Sequence, residues 1–570
     1  MGVISTVQTS CRDCYKCIRH CPVKAIRISF GHAEVVDARC VKDGRCVLVC
    51  PQGAKRVRSD LEKAKELIAS GQKVIASLAP SFVAAFPEAT PGQVIRGLKM
   101  LGFSEVREVA EGAEWVAQEH ALLLQEGRTN LITSSCPAVN FLITRYFPGL
   151  TEHIAPVVSP MVAHGRLLKR ESPGASVVFI GPCIAKKAEA EESEVQGDVD
   201  VVLTFLELRE WFKEAHLDLS TLPEDAFSLG RARFARAFPV EGGLIKSASL
   251  QVEFLSRDVV TITGINRCKE FLESFSLERA RFRIIEMMSC EGGCIDGPVL
   301  SSTLSPYERR ERVLEYTERS LERCEEPLVC LDPPSFRRNF TPSPVPRPEV
   351  PEEEIRRILA LTGKFMPQDE LNCGACGYNT CREKAEAVYQ GMAEAEMCIP
   401  FMRTKAESFS SFLLTVTPNG IVLVDEDLRI VEMNPALRRM LGLVGKLVLG
   451  KRIDEFLDPS PFVEVLRTRQ AVTREVAYPQ YHNLYVRLSV FFLEKSRLLM
   501  GIFVDLTKER EQEAMMEAIR EKTIEKAQQV IANQMRVAQE IASLLGETTA
   551  ETKVLLNKLM RILRGEIVEE

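Results

Sequence analysis

The stretch Glu286-Met287-Met288-Ser289-Cys290-Glu291-Gly292-Gly293-Cys294 places two thiols behind an apolar run, with a pair of glycines between them. Two companions are built alike: Thr133-Ser134-Ser135-Cys136-Pro137 follows Leu131-Ile132, and Gly181-Pro182-Cys183-Ile184-Ala185-Lys186-Lys187 follows Val177-Val178-Phe179-Ile180. Short apolar runs that stop at a glycine or proline read as buried strands of an α/β domain, so each motif sits at a strand end. Four soft ligands from three loops can hold one iron-sulfur cluster, and the bracketing glycines and prolines let the backbone approach it. By spacing alone, structural zinc stays open as the alternative.

Upstream, Cys11-x2-Cys14-x2-Cys17-x3-Cys21-Pro22 is the bacterial cluster-binding run, in which three cysteines serve one cluster and the fourth serves its neighbour. The second half reads Cys40-x2-Asp43-x2-Cys46-x3-Cys50-Pro51, with a carboxylate where a thiol is due. Crossed wiring assigns Cys11, Cys14, Cys17 and Cys50 to one cluster, and Cys21, Cys40, Cys46 and Asp43 to the other. Oxygen is a poorer iron-sulfur donor than thiolate, so Asp43 is either a fourth ligand or the mark of a three-iron or labile cluster.

Downstream, the segment from Asp332 to Pro351 holds seven prolines and reads as a semi-rigid extended linker. Beyond it, Cys373-x2-Cys376-x4-Cys381-x16-Cys398 forms a compact module expected to bind a third accessory cluster, with zinc as its alternative. No cysteine follows Cys398. Alternating strands lead to a proline-free tail in which Ile524, Val530/Ile531, Val537/Ala538 and Leu544/Leu545 recur about every seven residues, with Ala527 and Ile541 between them. That stripe suits a helix packed on its own domain or a seam with a second chain. The expected fold class is therefore multidomain α/β and α+β. Its parts are a two-cluster ferredoxin-like head (1–70), a cluster-bearing α/β domain (71–345), a small four-cysteine domain (346–403), a strand-rich domain (404–510) and a C-terminal signalling or dimerisation helix (511–570).

The chain has 570 residues, 45% hydrophobic and 27% charged, with a formal net charge of −6, so nothing in its charge points to nucleic acid or an anionic membrane surface. No stretch approaches the ~18 continuous apolar residues of a membrane span, and the expected location is the cytoplasm. Met1-Gly2-Val3-Ile4-Ser5-Thr6 fits a myristoylation pattern, but an apolar first strand is the preferred reading. The 18 cysteines are bunched in short-spaced groups, which in a reducing compartment points to metal ligation rather than disulfides. Cys268, Cys324 and Cys330 fit no motif and read as ordinary buried thiols.

Over residues 1 to about 345, with all three loops present in order, the sequence resembles the FeFe hydrogenases. The resemblance implies an H-cluster, a cubane held by Cys136, Cys183, Cys290 and Cys294 and bridged through Cys294 to a two-iron subsite bearing CO, cyanide and azadithiolate. It further implies that Ala79-Pro80-Ser81 hydrogen-bonds one cyanide, that Lys186 binds the other, and that Pro182, Phe238 and Met288 pack around the subsite. It places Ser135 where the family has a proton-relaying cysteine, matches Glu119 to the first glutamate of the proton route, and puts Leu122 and Ala155 at two further relay positions. Gly181 and Met161 replace a methionine and a glutamine that normally line the subsite. A thiol with a pKa near 8.5 exchanges protons at cell pH and a serine hydroxyl scarcely ionises, so slow turnover is expected.

Residues from about 408 to 510 resemble a PAS domain, through Thr417-Pro418-Asn419-Gly420, Asn434-Pro435-Ala436 and Gly501-Ile502-Phe503-Val504-Asp505. With only His482 available as a ligand, a relay without a tight cofactor is expected. The combined resemblance implies a sensory FeFe hydrogenase that detects H2 or redox state through slow, reversible chemistry of H2 and protons at the H-cluster. Its expected partners are an electron-carrier protein and a regulatory kinase or phosphatase, with a homodimer formed through the PAS domain and tail helix. A slow metabolic hydrogenase, and a hydrogenase-like iron-sulfur protein lacking the two-iron subsite, are the alternatives.

Overall fold

The computed structural model describes residues 2–29, 31–228, 234–248, 258–275, 282–321, 333–494, 496–545, 554–555 and 558. Cys324 and Cys330 lie outside them, as does most of the tail beyond 545. The chain divides into two compact units, Met1–Phe401 and Met402–Glu570.

In the first unit, strand Ile4–Thr6 pairs antiparallel with Lys55–Val57 and closes the head on itself. Short helices Lys16–His20 and Arg45–Val49 start inside the two cysteine runs, after left-handed residues Tyr15 and Gly44. At Gly44 (φ +74°) the backbone comes so near Ile184 and Pro298 that a Cβ would lie 2.6 Å from each, so the second run is pressed against the loop that follows Cys183. Lys187 ties the two parts: its fully buried Nζ donates to Asp60 Oδ2 at 2.9 Å, Glu207 Oε1 at 3.0 Å and Val202 O at 2.8 Å.

The α/β part contains two parallel sheets. One has four strands in the order Glu105–Glu108, Val74–Leu78, Ser176–Gly181 and Val201–Thr204; the other has three, Val259–Thr263, Ile284–Met288 and Leu131–Ile132. Strands such as Val74–Leu78, Ser176–Gly181 and Ile284–Met288 are buried along their whole length, which is why they read as continuous apolar runs.

The proline-rich segment is extended, but it is a strap and not a free spacer. Val158 N donates to Phe336 O at 2.8 Å, Ser343 N to Thr144 O at 3.0 Å and Val345 N to Arg145 O at 3.1 Å, while Phe336 stacks on Trp115. Proline removes donors from one edge, but the non-proline residues between still pair, and Phe336 supplies the apolar anchor. The four-cysteine module lies in the same unit. Its helices Glu352–Ala360 and Cys381–Tyr389 pack together, and Ile28 N donates to Met392 O at 3.0 Å across to the head.

The second unit is a five-stranded antiparallel sheet in the order Ile430–Met433, Gly420–Val424, Leu498–Asp505, Leu484–Leu493 and Val472–Tyr478. Its interior is filled by Val422, Leu437, Phe462, Val486 and Phe503. Asn434 Oδ1 accepts from Leu437 N and Ile421 N, fixing helix Pro435–Met440 to the sheet. His482 is exposed in a turn with φ +55°. The helix Thr507–Leu545 is continuous; on its stripe Val530, Val537 and Ile541 are exposed, while Ile524, Ala527 and Ile531 are half-buried.

Candidate metal centres

Parallel strands direct the loops that follow them to one edge, and both sheets do so at the same place. Val74–Leu78 ends in Ala79-Pro80-Ser81, Leu131–Ile132 in the Ser135 and Cys136 loop, Ser176–Gly181 in Pro182 and Cys183, and Ile284–Met288 in Cys290 and Cys294. These loops enclose a cavity of about 110 Å³ lined by all four cysteines together with Ala79, Pro80, Ser81, Ser135, Pro182, Lys186, Phe238 and Met288. Met161 and Phe179 complete its apolar wall. Phe179 also accounts for Gly181: a Cβ at 181 would lie 2.6 Å from the Phe179 ring, so no side chain fits there.

Two hydroxyls of this cavity, those of Ser81 and Ser135, have no protein partner among the described residues. Ser81 is fully buried with no partner for its Oγ, and the buried Ser135 Oγ also has none. Orphaned buried hydroxyls are costly unless a bound group satisfies them. Burial pushes the four thiols up, Cys183 to about 11 and Cys294 to about 12, a cost that a bound cation would offset. Lys186 Nζ donates to Glu189 Oε2 at 2.8 Å and lies 3.5 Å from the Ser135 carbonyl. Four soft donors, unpartnered hydroxyls and an ammonium group around one dry space suit a metal group with polar diatomic ligands.

Glu119 is not brought to this cavity. Its helix, Ala110–Gln125, contributes Ala113 to the cavity wall, and a residue six positions further lies about 9 Å along the axis. Glu119 instead pairs with Arg337 at 3.2 Å in a half-exposed position. Leu122 is 47% exposed, whereas Ala155 is buried. Besides Asp43, the cavity is lined by the carboxyl of Glu286, which is not among the site residues expected from the sequence. Burial pushes it up to about 7, while Oε1 accepts from Leu244 N at 3.1 Å and Oε2 from Thr261 Oγ1 at 3.3 Å. A lone carboxylate inside the apolar run Ile284–Met288 was the available signal.

In the head, Cys17 feels the charges of Cys11 and Cys14, whereas Cys21 and Cys46 feel those of Cys40 and the Asp43 carboxylate. Cys50 is half-buried beside Lys55. Asp43 is half-buried, its buried Oδ2 has no partner among the described residues, and desolvation of the carboxyl pushes it up to about 6. It also lines the main cavity, so the Asp43 side of the head is the side facing Cys290. Cys268 is buried, its Sγ 3.5 Å from Met288 O.

Cys373, Cys376, Cys381 and Cys398 surround a small space of about 20 Å³ in the four-cysteine module. Asn372 Oδ1 accepts from Cys381 N at 2.8 Å and holds the ligand loop in place. Lys364 and Lys384, not singled out from the sequence, line the same space. An all-thiol donor set beside buried ammonium groups fits an anionic cluster.

Residues 72–298 match the iron only hydrogenase large subunit, C-terminal domain; residues 369–400 match the FeS family, an Fe-S cluster domain; residues 418–508 match the PAS domain. Iron hydrogenase 1 of Clostridium pasteurianum is 23% identical over 363 residues, covering 51% of this chain and 63% of that protein. NADP-reducing hydrogenase subunit HndD of Solidesulfovibrio fructosivorans is 29% identical over 350 residues, 49% of this chain and 60% of the relative. A probable cytosolic Fe-S cluster assembly factor, oxy-4 of Caenorhabditis elegans, is 23% identical over 350 residues, 51% of this chain and 75% of that factor. The chain thus spans about six-tenths of the length of the first two.

Proposed function

We propose that this chain, which joins an iron-only hydrogenase large-subunit domain and an Fe-S cluster domain to a PAS domain, is a sensory hydrogenase. In this reading Cys136, Cys183, Cys290 and Cys294 hold the H-cluster. Once bound, that group supplies the interconversion of H2 with protons and electrons. Ser81 Oγ and Lys186 Nζ bind its polar ligands, and Phe179, Met161, Phe238 and Met288 exclude water. Ser135 presents a hydroxyl where acid-base relay needs a readily exchanged proton, so proton movement is slow and the site is suited to reporting rather than turnover.

Two accessory clusters in the head and one at Cys373, Cys376, Cys381 and Cys398 would carry the electron. The observation that carries the reading is that Ser81 and Ser135 both bring unpartnered hydroxyls to the four-cysteine cavity. The first suits cyanide recognition and the second a weakened relay. The PAS domain, and the exposed Val530, Val537 and Ile541 on Thr507–Leu545 that a second copy could cover, favour output through a partner kinase or phosphatase. An electron-carrier protein would exchange electrons with the clusters. Among the described residues no helix is long and apolar enough to cross a membrane.

Infrared spectroscopy of the anaerobically matured chain tests this. CO and cyanide bands that shift under H2, with slow H2 evolution, are expected. Their absence after supply of a diiron precursor would leave a non-enzymatic iron-sulfur protein, and fast turnover would make it a metabolic hydrogenase.

A further inference from the structure

Two lysines are buried in the four-cysteine module, where an uncompensated positive charge is expensive. Lys364 and Lys384 are 8% and 7% exposed. Lys364 Nζ donates to Cys398 Sγ at 3.3 Å; its other partners are the Thr362 carbonyl at 3.3 Å and hydroxyl at 3.1 Å. Lys384 Nζ donates to Ala395 O at 2.6 Å, and the charged or chargeable groups around it are Cys398, Cys376, Cys381 and Lys364 itself. Among the described residues neither lysine forms an ion pair with a carboxylate. Two ammonium groups of like sign therefore face one ring of sulfurs.

What balances them is the charge of the site's own occupant. A four-iron cube with four thiolate ligands is a dianion when oxidised and a trianion after one electron, so nearby positive charge favours the reduced form more than the oxidised one. Charge near the cluster and hydrogen bonds to its sulfurs are among the levers by which a protein sets cluster potential. Lys364 applies both, through its charge and its bond to Cys398 Sγ. Lys384 applies the first.

We propose that Lys364 and Lys384 set the potential of the cluster in the four-cysteine module, stabilising its reduced form so that the module is where the chain holds an electron. The inference rests on the reading that Cys373, Cys376, Cys381 and Cys398 bind an iron-sulfur cluster. It adds to that reading a role for two residues that are not ligands.

The test is a potentiometric titration of the full matured chain, followed by electron paramagnetic resonance, in which the head clusters serve as internal reference. Lys364→Met keeps the aliphatic stem and removes charge and donor. It should lower the reduced-to-oxidised ratio of the module's cluster at least tenfold at fixed potential, a fall of about 59 mV for one electron. Lys384→Met touches no sulfur and should lower it in the same direction, while Lys364→Arg should retain most of the original value. Unchanged potentials in both methionine variants, or an equal fall in the arginine variant, would overturn the inference. A native module that binds no iron would instead defeat the cluster reading on which it rests.

Discussion

Lys186 Nζ donates to Glu189 Oε2 at 2.8 Å, and the same carboxylate oxygen accepts from Ser159 Oγ at 2.9 Å. Glu189 is fully buried and its other oxygen lies 3.7 Å from Arg338, so one carboxylate orients the cavity lysine and anchors the strap at once. Losing one partner of a buried ion pair costs about 3–5 kcal/mol, because the remaining charges stay buried. Glu189→Ala should therefore lower the unfolding free energy of the full chain by that amount in anaerobic urea titrations. Glu189→Gln should cost less and should shift the cyanide bands of the matured chain, since Lys186 loses its fixed partner. Native stability and unshifted bands in both variants would show that Lys186 needs no such support.

Glu286 carries a second prediction. Its folded pKa of about 7 lies above the ordinary glutamate value, so it contributes stability that is fully present below about pH 4.5 and is lost as pH rises through 7. At about 1.36 kcal/mol per unit, the full span is on the order of 3 kcal/mol. Glu286→Gln keeps an acceptor for Leu244 N and should flatten the decline in unfolding free energy between pH 5 and 8. A variant with the wild-type pH profile would assign the decline to other groups.

The grouping of the cysteines is legible in the sequence because it is local: thiols on a tight loop need fixed spacing, and strand-end punctuation marks where those loops fall. Ser81, Lys186, Phe238 and Met288, which the family resemblance names, do meet at the cavity, but other residues recruited across the fold leave no local mark. Glu119 was matched by its place in a motif, but helical rise carries it along Ala110–Gln125 past the cavity and leaves it with Arg337. Lys364 stands 34 positions before Cys398, and nothing in its neighbours announces the contact. Gly181 looked like a lost subsite residue, yet the Phe179 ring takes up the space a side chain there would need. The prolines of residues 332–351 read as a linker, but composition alone does not say whether a chain spans solvent or lies along a surface, and Phe336 stacked on Trp115 is what holds it down.

Asp43 offers a test in the head. Its Oδ2 is buried without a protein partner beside Cys21, Cys40 and Cys46, which fits a weak fourth ligand better than a structural carboxylate. Asp43→Cys should raise the fraction of intact four-iron cluster and change its redox spectrum, because thiolate is the softer donor. Iron content and spectra identical to the native chain would remove Asp43 from the ligand set.

Ser135→Cys addresses the sensor claim most directly. The substitution places an exchangeable proton carrier on the cavity wall, next to Cys136 but without altering it, and the Ser135 Oγ it replaces has no hydrogen bond to lose. If proton delivery limits turnover, hydrogen evolution should rise. The outer route is still interrupted, because Leu122 is half-exposed, Ala155 is buried without a polar side chain, and Glu119 is held by Arg337 away from the cavity. The gain should therefore fall short of the roughly 10⁴-fold upper end of a complete acid-base relay. Signalling should weaken in the same variant, since a faster site discharges electrons as H2 before the accessory clusters hold them. Hydrogen evolution measured beside the reduced fraction of those clusters separates the outcomes. A native chain that already turns over quickly, and is slowed by Ser135→Cys, would mean that protons reach the cavity by another route and that the chain works as a metabolic hydrogenase.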